Sequence, residues 1–144
     1  MELITTPVRP VIPAAPYLGG KRNLSRRLVA LIATIPHNTY VEPFVGMGGV
    51  FLRRSSRPRA EVINDISTDV ANLWRILQRH YVPFMDMLRW QITSRAEFER
   101  LQAENAASLT DLERAARFLY LQRTAFGGKV NGRNFGVDRR SPGR

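Results

Sequence analysis

The stretch that most constrains the fold is Thr39 to Phe51, TYVEPFVGMGGVF. It opens as a short, mostly apolar run, Thr39 to Phe44, of the kind that forms a buried parallel strand. It then breaks into Gly46, Gly48 and Gly49 within a few residues. Glycines at such a turn let a ligand approach the backbone and leave amide donors exposed. A second strand-like run, EVINDI, covers Glu61 to Ile66, and Gly48 to Arg54 leaves room for only a short helix between the two. Strand, glycine turn, helix and strand is the order of a nucleotide-binding βαβ unit. Asp65 follows Gly46 at close to the roughly 20-residue spacing at which an acid ending the second strand accepts hydrogen bonds from ribose hydroxyls.

Two better-known motifs are excluded. A dinucleotide fingerprint would need glycine where the chain has Phe51, and a P-loop around Gly20-Lys21 would need other residues than Ala15 and Arg22. A plain tight turn is the alternative for the glycines alone. Glu42 lies inside the apolar strand, just before Pro43, where a carboxylate is costly unless it is paired or bound. It can pair with a basic side chain or take an amino group or charge from a ligand. Upstream, YLGGK (Tyr17 to Lys21) supplies an aromatic ring, a flexible turn and a cation at the start of a helix.

The chain has 22 basic and 12 acidic residues, a net charge of +10. That excess favours a polyanionic partner such as nucleic acid. The charge is uneven: residues 61–122 are slightly acidic, and the positive potential sits at the two ends. A solvated, arginine-rich surface is the bland alternative. The chain has no cysteine, and His37 and His80 are its two imidazoles, so neither disulfides nor a zinc site are expected. No apolar run approaches the roughly 20 residues that span a bilayer, and no signal-peptide blocks stand at the N-terminus. A cytoplasmic protein is the expectation.

Residues 1–16, with four prolines, read as an extended arm. Leu24, Leu28, Leu31, Ile32 and Ile35 form one helix face, ended by Pro36. After Asp65 the pattern is helical. Ser67 or Thr68 caps a helix with the face Val70, Leu73, Trp74 and Leu77, and a short helix with Phe84, Met87 and Leu88 follows Pro83. SRAE (Ser94 to Glu97) and TDLE (Thr110 to Glu113) are capping boxes for two more. The last helix is expected to stop at Gly127-Gly128. The remainder, KVNGRNFGVDRRSPGR, has turn chemistry and positive charge and reads as a hairpin or mobile loop.

Together these stretches resemble the Dam-type (D12 class) family of adenine-specific DNA methyltransferases, from about Pro16 onward. YLGGK looks like the family's N-terminal cofactor motif, and VEPFVGMGG its glycine motif. VINDI is similar to the segment carrying the ribose acid. FLYLQRTAFGGKVNGRNFGV resembles the helix and loop that begin target recognition. The resemblance implies S-adenosylmethionine as cofactor and methyl transfer to the exocyclic amine of adenine in double-stranded DNA. By position, Tyr17 and Lys21 contact the cofactor. Phe44, Gly46 and Gly48 hold its amino-acid part with Glu42 nearby, and Asp65 binds its ribose. Arg123 touches a phosphate, and Phe126 inserts near the flipped base, where a wedged ring offsets part of the unstacking cost. Lys129, Asn131, Arg133 and Asn134 fall where the family reads or grips DNA, although a solvated basic loop fits them as well.

The family performs its chemistry with an Asp-Pro-Pro-Tyr segment on a later strand, and no such tetrapeptide occurs in the 144 residues. The expected fold is α/β, a partial Rossmann-like methyltransferase fold whose short parallel sheet carries a helical insertion and lacks the C-terminal strands. The expected organisation is an arm (1–16), the N-terminal part of a cofactor-binding domain (17–80), and a helical segment leading into target recognition (81–144). One reading is the N-terminal portion of a methyltransferase, truncated, inactive alone and completed by a C-terminal portion. The other is a non-catalytic module that binds nucleic acid through its basic ends.

Overall fold

A computed structural model of the chain describes residues 5–17, 23–126 and 132–136. These residues form a mixed α/β structure with two short sheets and five α-helices. They fall into two compact units, one of Met1–Pro13 and Gly19–Ile66, the other of Ala14–Leu18 and Ser67–Arg144.

In the first unit, β1 (Thr6–Pro7) pairs antiparallel with β3 (Ser56–Arg57). The Val8 amide donates to the Ser55 carbonyl at 2.9 Å and the Val11 amide to that of Leu52 at 2.8 Å. The stretch from Thr6 to Val11 is thus pinned along Leu52 to Arg57. Prolines are tolerated there because an edge strand leaves some amides unused. The second sheet pairs β2 (Thr39–Glu42) with β4 (Ala60–Ile63) in parallel, Tyr40 opposite Glu61 and Glu42 opposite Ile63. The two predicted strands are therefore neighbours. They are not buried on both faces, however. Side chains alternate across a strand, so Tyr40 and Glu42 point inward while Val41 and Val62 remain exposed.

Helix α1 (Ser25–Thr34) ends at Ile35, next to Pro36, because the residue before a proline is driven out of the helical region. Its predicted apolar face is mostly uncovered: Leu24, Leu31 and Ile35 are exposed, and Leu28 and Ile32 are half-buried. A single 3-10 turn, Phe51–Arg53, is the short helix expected between the strands.

The second unit is helical. In α2 (Thr68–Arg79), capped by Ser67, the buried stripe is Val70, Leu73 and Ile76, with Asn72 donating to the Asp111 carbonyl at 2.7 Å. Trp74 and Leu77, expected inside, are only half-buried, because the stripe is rotated toward Ile76. Helix α3 (Tyr81–Arg89) begins two residues before Pro83 rather than after it. Proline is accepted in a first turn, where its missing N–H has no partner to lose. Helix α4 (Arg95–Ala103) is capped by Ser94, but its box is only half made. The Glu97 carboxylate turns to Arg100, at 2.7 and 2.9 Å, instead of reaching back. Helix α5 (Asp111–Thr124) has the complete box from Thr110 and Glu113. It is the axis of this unit, burying Ala115, Ala116, Phe118, Leu119 and Leu121. Phe98, Leu101, Tyr120, Leu121 and Ala125 form one cluster, with Phe135 against it.

Helix α5 stops at Thr124, short of the predicted Gly127-Gly128, which lies outside the described residues. Ala125 turns extended and bridges to Phe135 in antiparallel fashion. No helix among the described residues is long and apolar enough to cross a membrane.

Candidate functional site

The first candidate site lies where β2 runs into the glycine turn. Strand pairing continues past the formal strand ends: the Asn64 amide donates to the Glu42 carbonyl and the Val45 amide to the Asn64 carbonyl, both at 2.9 Å. The chain then reverses at Gly46 (φ 51°) and Gly48 (φ 77°). Residues with a Cβ resist this left-handed region, which accounts for glycine at both positions. Asp65, just beyond β4, reaches back so that its Oδ2 accepts from the Gly46 amide at 2.8 Å. The spacing noticed in the sequence is therefore a direct contact. It clasps the turn to the end of the neighbouring strand.

Behind the turn, the Tyr40 hydroxyl donates to Glu42 Oε2 at 2.6 Å. Both side chains are buried. The carboxylate that looked costly in the sequence is thus held by a phenol, a partner other than the basic side chain or ligand group the sequence suggested. Burial, reinforced by the hydrogen bond and the negative charge of Glu42, pushes the Tyr40 hydroxyl above the usual phenol range, so it stays a donor. The Arg54 guanidinium lies 3.8 Å from the Tyr40 ring centroid and pairs with Glu61. The sequence reading missed Tyr40 and Arg54. Tyr40 had a signal, since two residues apart on a strand means one face. Phe44 is exposed at the mouth of the turn.

Glu42, Phe44, Gly46, Gly48 and Asp65 are thus gathered within one unit. Tyr17 belongs to the other unit, beside Pro16, whose carbonyl accepts from Gln122 at 2.8 Å. Lys21 lies outside the described residues.

The second candidate site follows α5. Arg123 is exposed in its last turn, and Phe126 leaves its ring 67% exposed. The Phe126 amide donates to the Asn134 carbonyl at 2.8 Å and the Gly136 amide to that of Thr124 at 2.9 Å, so residues 124–126 and 134–136 pair, where the sequence left a hairpin or a mobile loop open. A Cβ on Gly136 would stand 2.6 Å from that of Phe126. Gly136, which the sequence reading also passed over, is therefore the seat of the exposed ring. Arg133 is half-buried, its guanidinium 5.8 Å from the Phe118 ring centroid and its carbonyl accepting from Gln102 at 3.0 Å. Burial, and then the charge of Arg117, lower its pKa, while Asp69 and Tyr17 oppose the shift. Asn134 is exposed. Lys129 and Asn131 lie outside the described residues. Among the described residues, no three His, Cys, Asp or Glu side chains gather as a metal site would require.

The family of D12 class N6 adenine-specific DNA methyltransferases matches residues 17–134. The chain is 28% identical over 130 residues to the type II methyltransferase M1.LlaDCHI of Lactococcus lactis subsp. cremoris, a match covering 85% of this chain and 45% of the relative. It is 33% identical over 92 residues to a DNA adenine methylase of Serratia marcescens, covering 61% of this chain and 33% of that protein. A DNA adenine methylase of Haemophilus influenzae is 27% identical over 144 residues, covering 88% and 47%. The chain spans less than half the length of these relatives.

Proposed function

Because the chain belongs to the D12 class N6 adenine-specific DNA methyltransferase family, we propose that it forms the cofactor-binding and DNA-gripping part of an enzyme that methylates the exocyclic amine of adenine in double-stranded DNA. The methyl donor is S-adenosylmethionine, held on a partial Rossmann-like framework in which residues 17–80 serve the cofactor and 81–144 lead to the DNA. The observation that carries this reading is the clasp of Asp65 on the Gly46 amide at the end of two parallel strands.

The residues present fit such a cofactor. The left-handed turn at Gly46 and Gly48 has no side chains to block a ligand's amino-acid part. Glu42, a buried carboxylate beside the turn, suits a ligand ammonium. Asp65 uses one of a carboxylate's roughly four lone-pair sites on the Gly46 amide, and the same group accepts ribose hydroxyls. Tyr17 and Lys21 complete the cofactor side. Bound S-adenosylmethionine supplies a methyl group activated on a sulfonium. On the DNA side, Arg123, Lys129, Asn131, Arg133 and Asn134 meet the duplex, and the exposed Phe126 ring stands where a flipped base leaves a gap.

Calorimetry with S-adenosylmethionine tests the cofactor half. Hydrogen bonds to a charged group are worth roughly 1.5–3 kcal/mol, so Asp65→Ala should weaken binding about tenfold or more. Asp65→Asn, which keeps an acceptor for the Gly46 amide, separates loss of the turn from loss of charge. Equal affinity in all three proteins, with the fold intact, removes Asp65 from the site. Salt-sensitive DNA binding with no cofactor binding at all would favour a non-catalytic module instead.

A further inference from the structure

A row of buried side chains stands behind the glycine turn. Tyr40 and Glu42 share the inner face of β2, and the Tyr40 hydroxyl is 2.6 Å from Glu42 Oε2. Arg54 is only 5% exposed. Its guanidinium covers the Tyr40 ring at 3.8 Å and lies 4.9 Å from that of Phe51. Its Nη2 is engaged by Glu61, which sits directly opposite Tyr40 in the parallel register. Nε donates to the Phe51 carbonyl at 3.3 Å, and Nη1 has no hydrogen-bond partner among the described residues.

We propose that Tyr40 and Arg54 are positioning residues for Glu42: Arg54 fixes the Tyr40 ring, and the Tyr40 hydroxyl aims the Glu42 carboxylate at the amino-acid part of the cofactor. The proposal rests on the cofactor reading above for what Glu42 meets. The division of labour follows from the contacts. A buried carboxylate needs donors to remain charged, and an O–H donor to an ionised oxygen makes a short, strong bond. A guanidinium placed directly on Glu42 would neutralise it and compete with a ligand ammonium. Here the cation is engaged elsewhere, by Glu61 and two ring faces, so Glu42 is oriented by a neutral group and not by a cation that would compete with a ligand ammonium. A planar guanidinium stacks on a ring in a way a lysine ammonium does not reproduce.

The test uses the full chain with two ligands. S-adenosylmethionine carries the amino-acid part, and 5′-methylthioadenosine lacks it. Tyr40→Phe should weaken the first about tenfold and leave the second unchanged. Arg54→Lys, which keeps the charge for Glu61, should weaken the first several-fold and spare the second. In a double-mutant cycle, Tyr40→Phe should cost nothing further once Glu42→Gln is present. Equal losses for both ligands, additivity in the cycle, or no loss in Tyr40→Phe each overturn the proposal. If the unmodified chain binds neither ligand, the cofactor reading falls. The positioning is then read from the carbon-13 resonance of the Glu42 carboxyl. Displacement of that signal by both Tyr40→Phe and Arg54→Lys supports the relay, and an unmoved signal in either variant overturns it.

Discussion

At Tyr40 one hydroxyl ties a phenol to a carboxylate two residues away, and the tie has a pH signature. Burial and the neighbouring Glu42 raise the pKa of Tyr40. The folded protein therefore keeps a proton that the unfolded chain releases above pH about 10. The stabilisation is complete below that pH and is lost as pH rises toward the folded value. Thermal melts from pH 8 to 11 should show a falling alkaline limb, and Tyr40→Phe should flatten it. An identical limb in the variant would assign the slope to other groups. Much of this was legible at residue scale, though only in outline. The cost of burying Glu42 could be read from its apolar neighbours, and the spacing from Gly46 singled out Asp65, though for a ribose and not for the Gly46 amide it accepts from. The part played by Arg54 could not be read, because it reaches Tyr40 through a fold-back that neither periodicity nor charge reveals.

Among the elements, the hairpin that carries Phe126 depends on a position with no side chain. A methyl group at position 136 would meet the Phe126 Cβ at 2.6 Å, against backbone with no room to yield. Overpacking of this kind costs typically 1–3 kcal/mol. Gly136→Ala should therefore speed hydrogen exchange at the Phe126 amide by roughly ten- to a hundredfold. Helix α5 should keep its protection, and unchanged exchange at Phe126 would show that the hairpin adapts. At the other end of α5, Thr110 caps the Glu113 amide, and the Glu113 carboxylate accepts from the Thr110 amide and hydroxyl, at 2.8 and 2.7 Å. These bonds hold the Glu113 carboxyl below the usual range. Thr110→Ala should cost about 1 kcal/mol at neutral pH. A depressed carboxylate stabilises above its unfolded pKa and loses that effect as pH falls, so the gap between variant and parent should narrow in acid. Melts at pH 7 and pH 3 measure both. The two boxes read alike in the sequence, TDLE and SRAE, yet only the first closes. Arg100, one turn beyond Glu97, outcompetes the Ser94 amide for the carboxylate, and that amide donates to the Tyr120 hydroxyl at 3.2 Å instead. The end of α5 was misread for a related reason. Pairing of Ala125 with Phe135 overrides the glycine stop signal.

Over the whole molecule, a charge of +10 is a statement about partners more than about fold. Arg123 and Arg133 are not equally accessible. Arg133 is half-buried over Phe118, whereas Arg123 is exposed in the last turn. Arg123→Ala should flatten the salt dependence of DNA binding by a slope of about one, if it neutralises one phosphate. Fluorescence anisotropy from 50 to 300 mM salt would measure it, and an unchanged slope would return Arg123 to the bland surface. The arm has a further consequence, for folding kinetics. Thr6 finds its partner at Arg57 only after the whole intervening chain, with α1 and β2, has been brought into place. Closing so long a loop for a two-residue ladder gains little for its entropy. This ladder should therefore be the last contact of its unit to zip during refolding and the first to open. A protease probing the native state should make its earliest cut there, on the residues around Val8 and Val11, while the parallel strands are still closed.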